Sequence, residues 1–147
     1  MKQATAPKAM AEEQQTAPPD LATMRETAEL LLGPDGSPDV LPPVGDELAA
    51  HTATLRGQLE LLIPELENVV TRLPRESIPR YCALACIGEA RGKLRAEPSR
   101  RYGGDAGYAR RLARVLRALC DHYQNITAWG PAPRGARALE YTQTEAQ

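Results

Sequence analysis

The sequence predicts an all-α protein: a small antiparallel helical bundle of three long helices plus a short N-terminal helix, with disordered tails. Three observations predict it. Apolar residues recur three and four apart through most of residues 46–126, the period of helices with one buried side. Prolines, glycines and short polar residues that start and stop helices separate these stretches. No stretch shows the two-residue alternation of a half-buried strand.

Residues 1–19 are polar, rich in alanine and glutamine, and hold Pro7, Pro18 and Pro19. Their apolar surface is too small to offset chain entropy, which predicts a disordered tail. A short helix follows over 21–32. Thr23 with Glu26 forms a capping box, Asp20 competes as N-cap, and Gly33-Pro34 stops the helix. Met24, Ala28, Leu31 and Leu32 give it one apolar face. Residues 34–45 hold four prolines and two glycines, so 20–45 reads as a short helix and a linker.

The second helix, over 46–73, carries the clearest signal. Asp46 is the expected N-cap, with Glu47 in the first turn. Leu48, Thr52, Leu55, Leu59, Leu62, Leu66, Val69 and Leu73 alternate four and three apart and form one stripe, joined by Ile63 and Val70. Pro64 lies away from the stripe and predicts a kink, because the stripe continues in phase beyond it. Ser77 caps a third helix over 78–96, with Pro79 in its first turn. Ile78, Tyr81, Cys82, Leu84, Ala85, Cys86, Ile87, Ala90 and Leu94 cover most of its circumference, which predicts the central, buried helix. Gly88 and Gly92 would let a neighbouring backbone approach it closely. Asp105 is the expected cap of a fourth helix over 106–126. Tyr108, Leu112, Val115, Leu116, Leu119, Tyr123 and Ile126 form one face of it, and Arg110, Arg114, Arg117 and Asp121 the opposite one. The bundle domain therefore spans 46–127. Trp129-Gly130-Pro131 breaks the last helix and opens a second disordered tail, 128–147.

Composition bounds the function classes. With 147 residues, 42% hydrophobic and 25% charged, the chain reads as one soluble domain plus tails. No run approaches the length of a membrane span, and Met1 to Pro19 lacks the apolar stretch of a secretory signal. An odd set of three cysteines favours reduced thiols in the cytoplasm. The net charge of -1 hides an asymmetry: residues 1–74 carry -7 and residues 75–123 carry +6. Two halves that neutralise each other across the fold explain this better than a polyanion-binding face, which leaves a net excess.

Three stretches resemble a known family. They are Leu55–Glu67 (LRGQLELLIPELE), Ile78–Arg91 (IPRYCALACIGEAR) and Tyr108–Tyr123 (YARRLARVLRALCDHY). Each is similar to a block of an uncharacterised actinobacterial domain-of-unknown-function family labelled in bulk as a natural-product biosynthesis protein. The resemblance spans roughly residues 48–123. It implies a setting in specialised metabolism and brings no activity, cofactor or catalytic residue with it.

The candidate chemistry is sparse. Cys82 and Cys86, four apart, share a helical face, but a zinc site needs two further ligands. Cys120 and His122 point too far apart on their helix to supply both. Free cysteine ordinarily packs as a small hydrophobe, so no metal or cofactor is expected. His51 and His122 read as structural residues at the bundle's edges. Glu89 shares a face with Cys82 and Ala85 and has Lys93 as its i+4 neighbour. If that face is buried, Glu89 and Tyr81 form a polar site inside the protein; if it is open, Glu89 and Lys93 are an ordinary surface pair. Arg110, Arg114 and Arg117 form a stripe suited to carboxylates or phosphates. No aromatic residues interleave it, as single-strand binders require, and no helix-turn-helix or zinc-finger spacing accompanies it.

These features lead to a non-catalytic accessory or regulatory protein that acts through contacts with another protein or with itself as a homodimer. A nucleic-acid-associated regulator using the arginine stripe is the second reading. A small-ligand or enzymatic bundle around Glu89 is the third.

Overall fold

The computed structural model describes residues 17–33, 41 and 43–128. Most of the two predicted tails and of the linker therefore lie outside the described residues. The described chain forms four α-helices: α1 (Leu21–Leu32), α2 (Gly45–Val70), α3 (Ile78–Arg95) and α4 (Gly104–Ala128). A single 3-10 turn, Arg100–Tyr102, precedes α4. The all-α bundle expected from the periodicity is the observed architecture, and no strand occurs among the described residues.

Local chemistry sets the helix ends. At α1 the Asp20 carboxylate accepts from the Thr23 amide at 3.1 Å and from the Thr23 hydroxyl at 2.7 Å. Asp20 is thus the cap, and Thr23 is its donor. The Thr23 hydroxyl and then its amide hold the Asp20 carboxyl below its ordinary range. The Ser77 hydroxyl caps α3 by accepting from the Arg80 amide at 3.1 Å, with Pro79 in the first turn as expected.

The other two caps differ from expectation. Asp46 and Asp105 both sit inside the first turn. The amide of Leu48 reaches back to the Val44 carbonyl, and that of Gly107 to the Gly103 carbonyl, so each helix closes its first turn ahead of the acidic residue. Both carboxylates still lie at the positive end of their helix dipole. The end of α2 also falls short of the predicted Leu73. The Arg72 and Leu73 amides bond the carbonyls of Val69 and Val70 in tighter i to i+3 turns. α2 runs unbroken through Pro64, which is exposed, so the Glu60 carbonyl it leaves without an amide donor lies on the watered side.

The core confirms the apolar faces of α1, α2 and α4 and corrects that of α3. Met24, Ala28, Leu31 and Leu32 of α1 are buried, as are Leu48, Leu55, Leu59, Leu62, Ile63, Leu66 and Val70 of α2. α3 is not the central helix. It buries only Ala83, Cys86, Ile87 and Ala90, and leaves Ile78, Tyr81, Cys82, Leu84 and Ala85 exposed. A Cβ built on Gly88 or Gly92 meets nothing within 4 Å, so among the described residues no neighbouring element's backbone approaches them. The centre belongs to α4, which packs against α1, α2 and α3. Ala109, Ala113 and Cys120, all fully buried, widen its apolar arc to about 160°. An arc that broad meets three neighbours, whereas the buried arc of α3 serves two.

Truncation at the centre should be costly. Leu116→Ala empties a fully buried position on α4 and is expected to lower unfolding free energy by about 2–5 kcal/mol in chemical denaturation. The Asp20 cap should be acid-sensitive. Its folded pKa is depressed, so its contribution is complete above the ordinary carboxylate value and is lost as pH falls through the folded one. Asn caps equally well without titrating. Any stability advantage of wild type over Asp20→Asn at pH 7 should therefore close as the pH falls through the carboxylate range.

Candidate functional site

The residues singled out in the sequence fall into two places on the surface. α3 and α4 lie side by side and leave an open groove of about 290 Å³ between them. Glu89 and Lys93 come from α3, one turn apart. Arg111 and Arg114 come from α4, with Val115 and Ala118. Three cations and one carboxylate thus surround a narrow apolar strip. The groove joins Glu89 to Arg114, residues that sequence reasoning had assigned to separate candidate sites. Lys93 was visible only as a helix neighbour of Glu89, and Arg111 only as one more arginine near the stripe.

The other candidates are not brought into it. Arg110 and Arg117, both half-buried, do not line the groove, although Arg114 between them is exposed and does. The predicted stripe is therefore divided by the curvature of α4. Tyr81 is exposed and stands two turns away from Glu89 along α3. Because Glu89 is exposed as well, the two do not form a buried polar site. The physical reason is the one that displaced α3 from the centre: its wide apolar circumference finds only two partners.

The cysteines separate in the same way. Cys82 is exposed and Cys86 buried, because the 40° step between i and i+4 straddles the edge of the buried arc. Burial, and then the Glu89 charge, push the Cys86 thiol up to about 11. Burial dominates at Cys120 too, which also rises to about 11. Both stay protonated at neutral pH and behave as core atoms. Among the described residues, no group of three or more His, Cys, Asp or Glu is placed to hold a metal ion.

Two polar clusters are structural. Arg56 of α2 donates to the Tyr108 hydroxyl and, at 2.9 Å, to the Leu94 carbonyl near the end of α3. Tyr108 in turn donates to the Lys93 carbonyl at 3.0 Å. One guanidinium and one phenol thereby satisfy carbonyls of the last turn of α3 and tie three helices together. Gln58 donates to the Thr27 hydroxyl at 3.0 Å, linking α2 to α1, while its own Oε1 is buried without a partner. It borders a second open hollow of about 300 Å³ with Asp20, Met24, Leu61 and Glu65. Sequence reasoning passed over both. Gln58 stands three after Leu55 and four before Leu62, at the spacing of the apolar stripe, which is the signal that would have marked it.

Compared with known proteins, residues 22–128 match the model of a family of unknown function, DUF6415. The chain belongs to that family, whose span takes in all of α2, α3 and α4 and nearly all of α1. No curated protein and no solved structure matches it.

Two measurements check these assignments. A thiol reagent at neutral pH should modify Cys82 alone in the native protein, with Cys86 and Cys120 reacting only after denaturation; peptide mapping reads this directly. Tyr108→Phe keeps the ring but removes the hydroxyl that Arg56 and the Lys93 carbonyl share. It is expected to cost about 1–3 kcal/mol in thermal or chemical unfolding.

Proposed function

We propose that this family member is a non-catalytic helical module that works by contact with another protein, in an accessory or regulatory role. The observation that supports the reading is the surface shared by α3 and α4. There the exposed Ile78, Tyr81 and Leu84 stand on the same helix as the rim of a groove flanked by Lys93, Arg111 and Arg114. Exposed apolar side chains together with a separate charged rim on one helix are the make-up of a protein contact surface. The guanidinium groups would meet carboxylates of the partner, which arginine binds through two parallel hydrogen bonds. The groove is open and shallow, a shape that suits a docked helix better than an enclosed small ligand.

The setting we propose is the cytoplasm, and the pathway specialised metabolism, following the resemblance of its three sequence blocks to actinobacterial proteins carrying that label. Among the described residues no helix is long and apolar enough to cross a membrane. The second reading, a nucleic-acid regulator, draws on the same cations but not on the apolar side chains beside them.

Affinity purification of the tagged protein at low salt, with mass spectra and nucleic-acid absorbance read from one eluate, separates the two. A stoichiometric protein partner is expected. Reversing charge at Lys93 and Arg114, which line the groove, should weaken its retention by about tenfold or more. Nuclease-sensitive absorbance that salt releases would replace this reading with the nucleic-acid one.

A further inference from the structure

We infer that the groove between α3 and α4 is the charged end of a longer docking track, whose occupant is a helix of a partner protein with two carboxylates at one end and aliphatic side chains at the other. This rests on the proposed contact with another protein and states what that partner must carry.

The track follows from how α3 and α4 lie. They pack along each other, and the Tyr108 hydroxyl donates to the Lys93 carbonyl at 3.0 Å, so the start of α4 stands beside the end of α3. Lys93 and Arg111 are therefore at one end of the groove, and Ala118 lies farther along it, toward the start of α3. The α3 wall does not stop at Glu89. At about 100° per residue, Ile78, Cys82, Glu89 and Lys93 fall within an arc of about 60°. Cys82 is exposed, and Ile78 is 75% exposed. From Lys93 to Ile78 this wall is about 22 Å long, which matches a docked helix of about fifteen residues.

The chemistry changes along that length. At one end Lys93, Arg111 and Arg114 surround Glu89, three cations against one carboxylate, for a net charge of +2. Toward the other end Ala118, Cys82 and Ile78 carry no charge. Two carboxylates match the charged end, and a helix presents two on one face when they stand three or four residues apart. Each can take the paired hydrogen bonds of a guanidinium. Ile78 is about 16 Å from Glu89 along the axis, so the aliphatic side chains that cover it belong about three turns farther along the same face.

Charge complementarity also separates this occupant from a nucleic acid. A nucleic acid carries phosphates along its whole length. It would set charge over Ile78 as well as over Arg114, and an isoleucine offers phosphate nothing. The charge of the occupant has to end where that of the track ends.

The test is selection of randomised peptides of about 18 residues, displayed on phage, against the full chain. Enriched peptides should carry two acidic residues three or four apart, with aliphatic residues about three turns away on the same face. A labelled synthetic copy of the best one should bind wild type with an affinity that falls about tenfold or more in Lys93→Glu with Arg114→Glu. Ile78→Ser should weaken it about fivefold or more, and serine in place of the peptide's aliphatic residues should do the same. All three positions on the protein are at least partly exposed, so the variants should keep the circular dichroism of wild type. Selection that enriches nothing, or only basic or uncharged peptides, would overturn the proposal, as would binding that Ile78→Ser leaves unchanged. A DNA duplex that displaces the peptide at equal concentration would overturn it in favour of phosphate recognition. A natural partner held through Lys93 and Arg114 but indifferent to Ile78→Ser would leave the contact reading standing and remove this one.

Discussion

The rest of this structure depends on the burial of one broad arc of α4. Eight residues of that helix, from Tyr108 to Cys120, are buried, and they face α1, α2 and α3 in turn. The chain contains no phenylalanine, so its core has to be made from leucine, alanine, cysteine and a few branched residues. A core of that kind gains density through close helix approach rather than through large rings. Alanines at Ala28, Ala83, Ala90, Ala109 and Ala113, all with no accessible surface, occupy the contacts and permit it. Once α4 is enclosed, α1 has its apolar face covered and α2 its leucine stripe. α3 receives cover on only one side.

Arginine does more structural work here than a surface stripe suggests. Arg25 of α1 pairs with Asp121 of α4 at 2.7 Å, and Arg91 of α3 with Glu67 of α2 at 2.7 Å. Both pairs are partly exposed and individually worth little. Arg80 and Arg56 do more, because each donates to backbone carbonyls near a helix end, Leu73 and Leu94 respectively. The Arg91–Glu67 pair crosses from the basic half of the sequence to the acidic half. The Arg25–Asp121 pair crosses in the opposite sense, so neutralisation between the halves is mixed rather than layered.

What remains outside this framework is the surface that the described residues of α3 and α4 leave exposed. It consists of the outer side of α3 and the basic groove behind it, separated by Glu89 and Lys93. The two regions differ in chemistry: one is apolar, the other cationic.

How much of this was legible in the sequence follows from which features are local. Helix identity, the start of α1 at Leu21 and the capping by Ser77 follow from residues within a few positions of each other. So do the apolar faces of α1, α2 and α4, because a 3.6-residue period needs only the chain's own order. The caps at Asp46 and Asp105 were misplaced by a residue or two, since a glycine or valine just upstream closed the first turn instead. The central position was misread because apolar circumference records how much a helix could bury, not how many neighbours it meets. The candidate site was legible only in pieces. Glu89 and Arg114 are 25 positions apart, and only the packing of α3 on α4 sets them around one groove. The same packing exposes Tyr81 and leaves Gly88 and Gly92 open. The sequence by itself determined that four helices form and which faces of three of them are apolar, because those are properties of each segment alone. Which helix is enclosed, and which apolar face the described residues leave exposed, only the tertiary structure decided, because burial is a property of neighbours and α3 has too few.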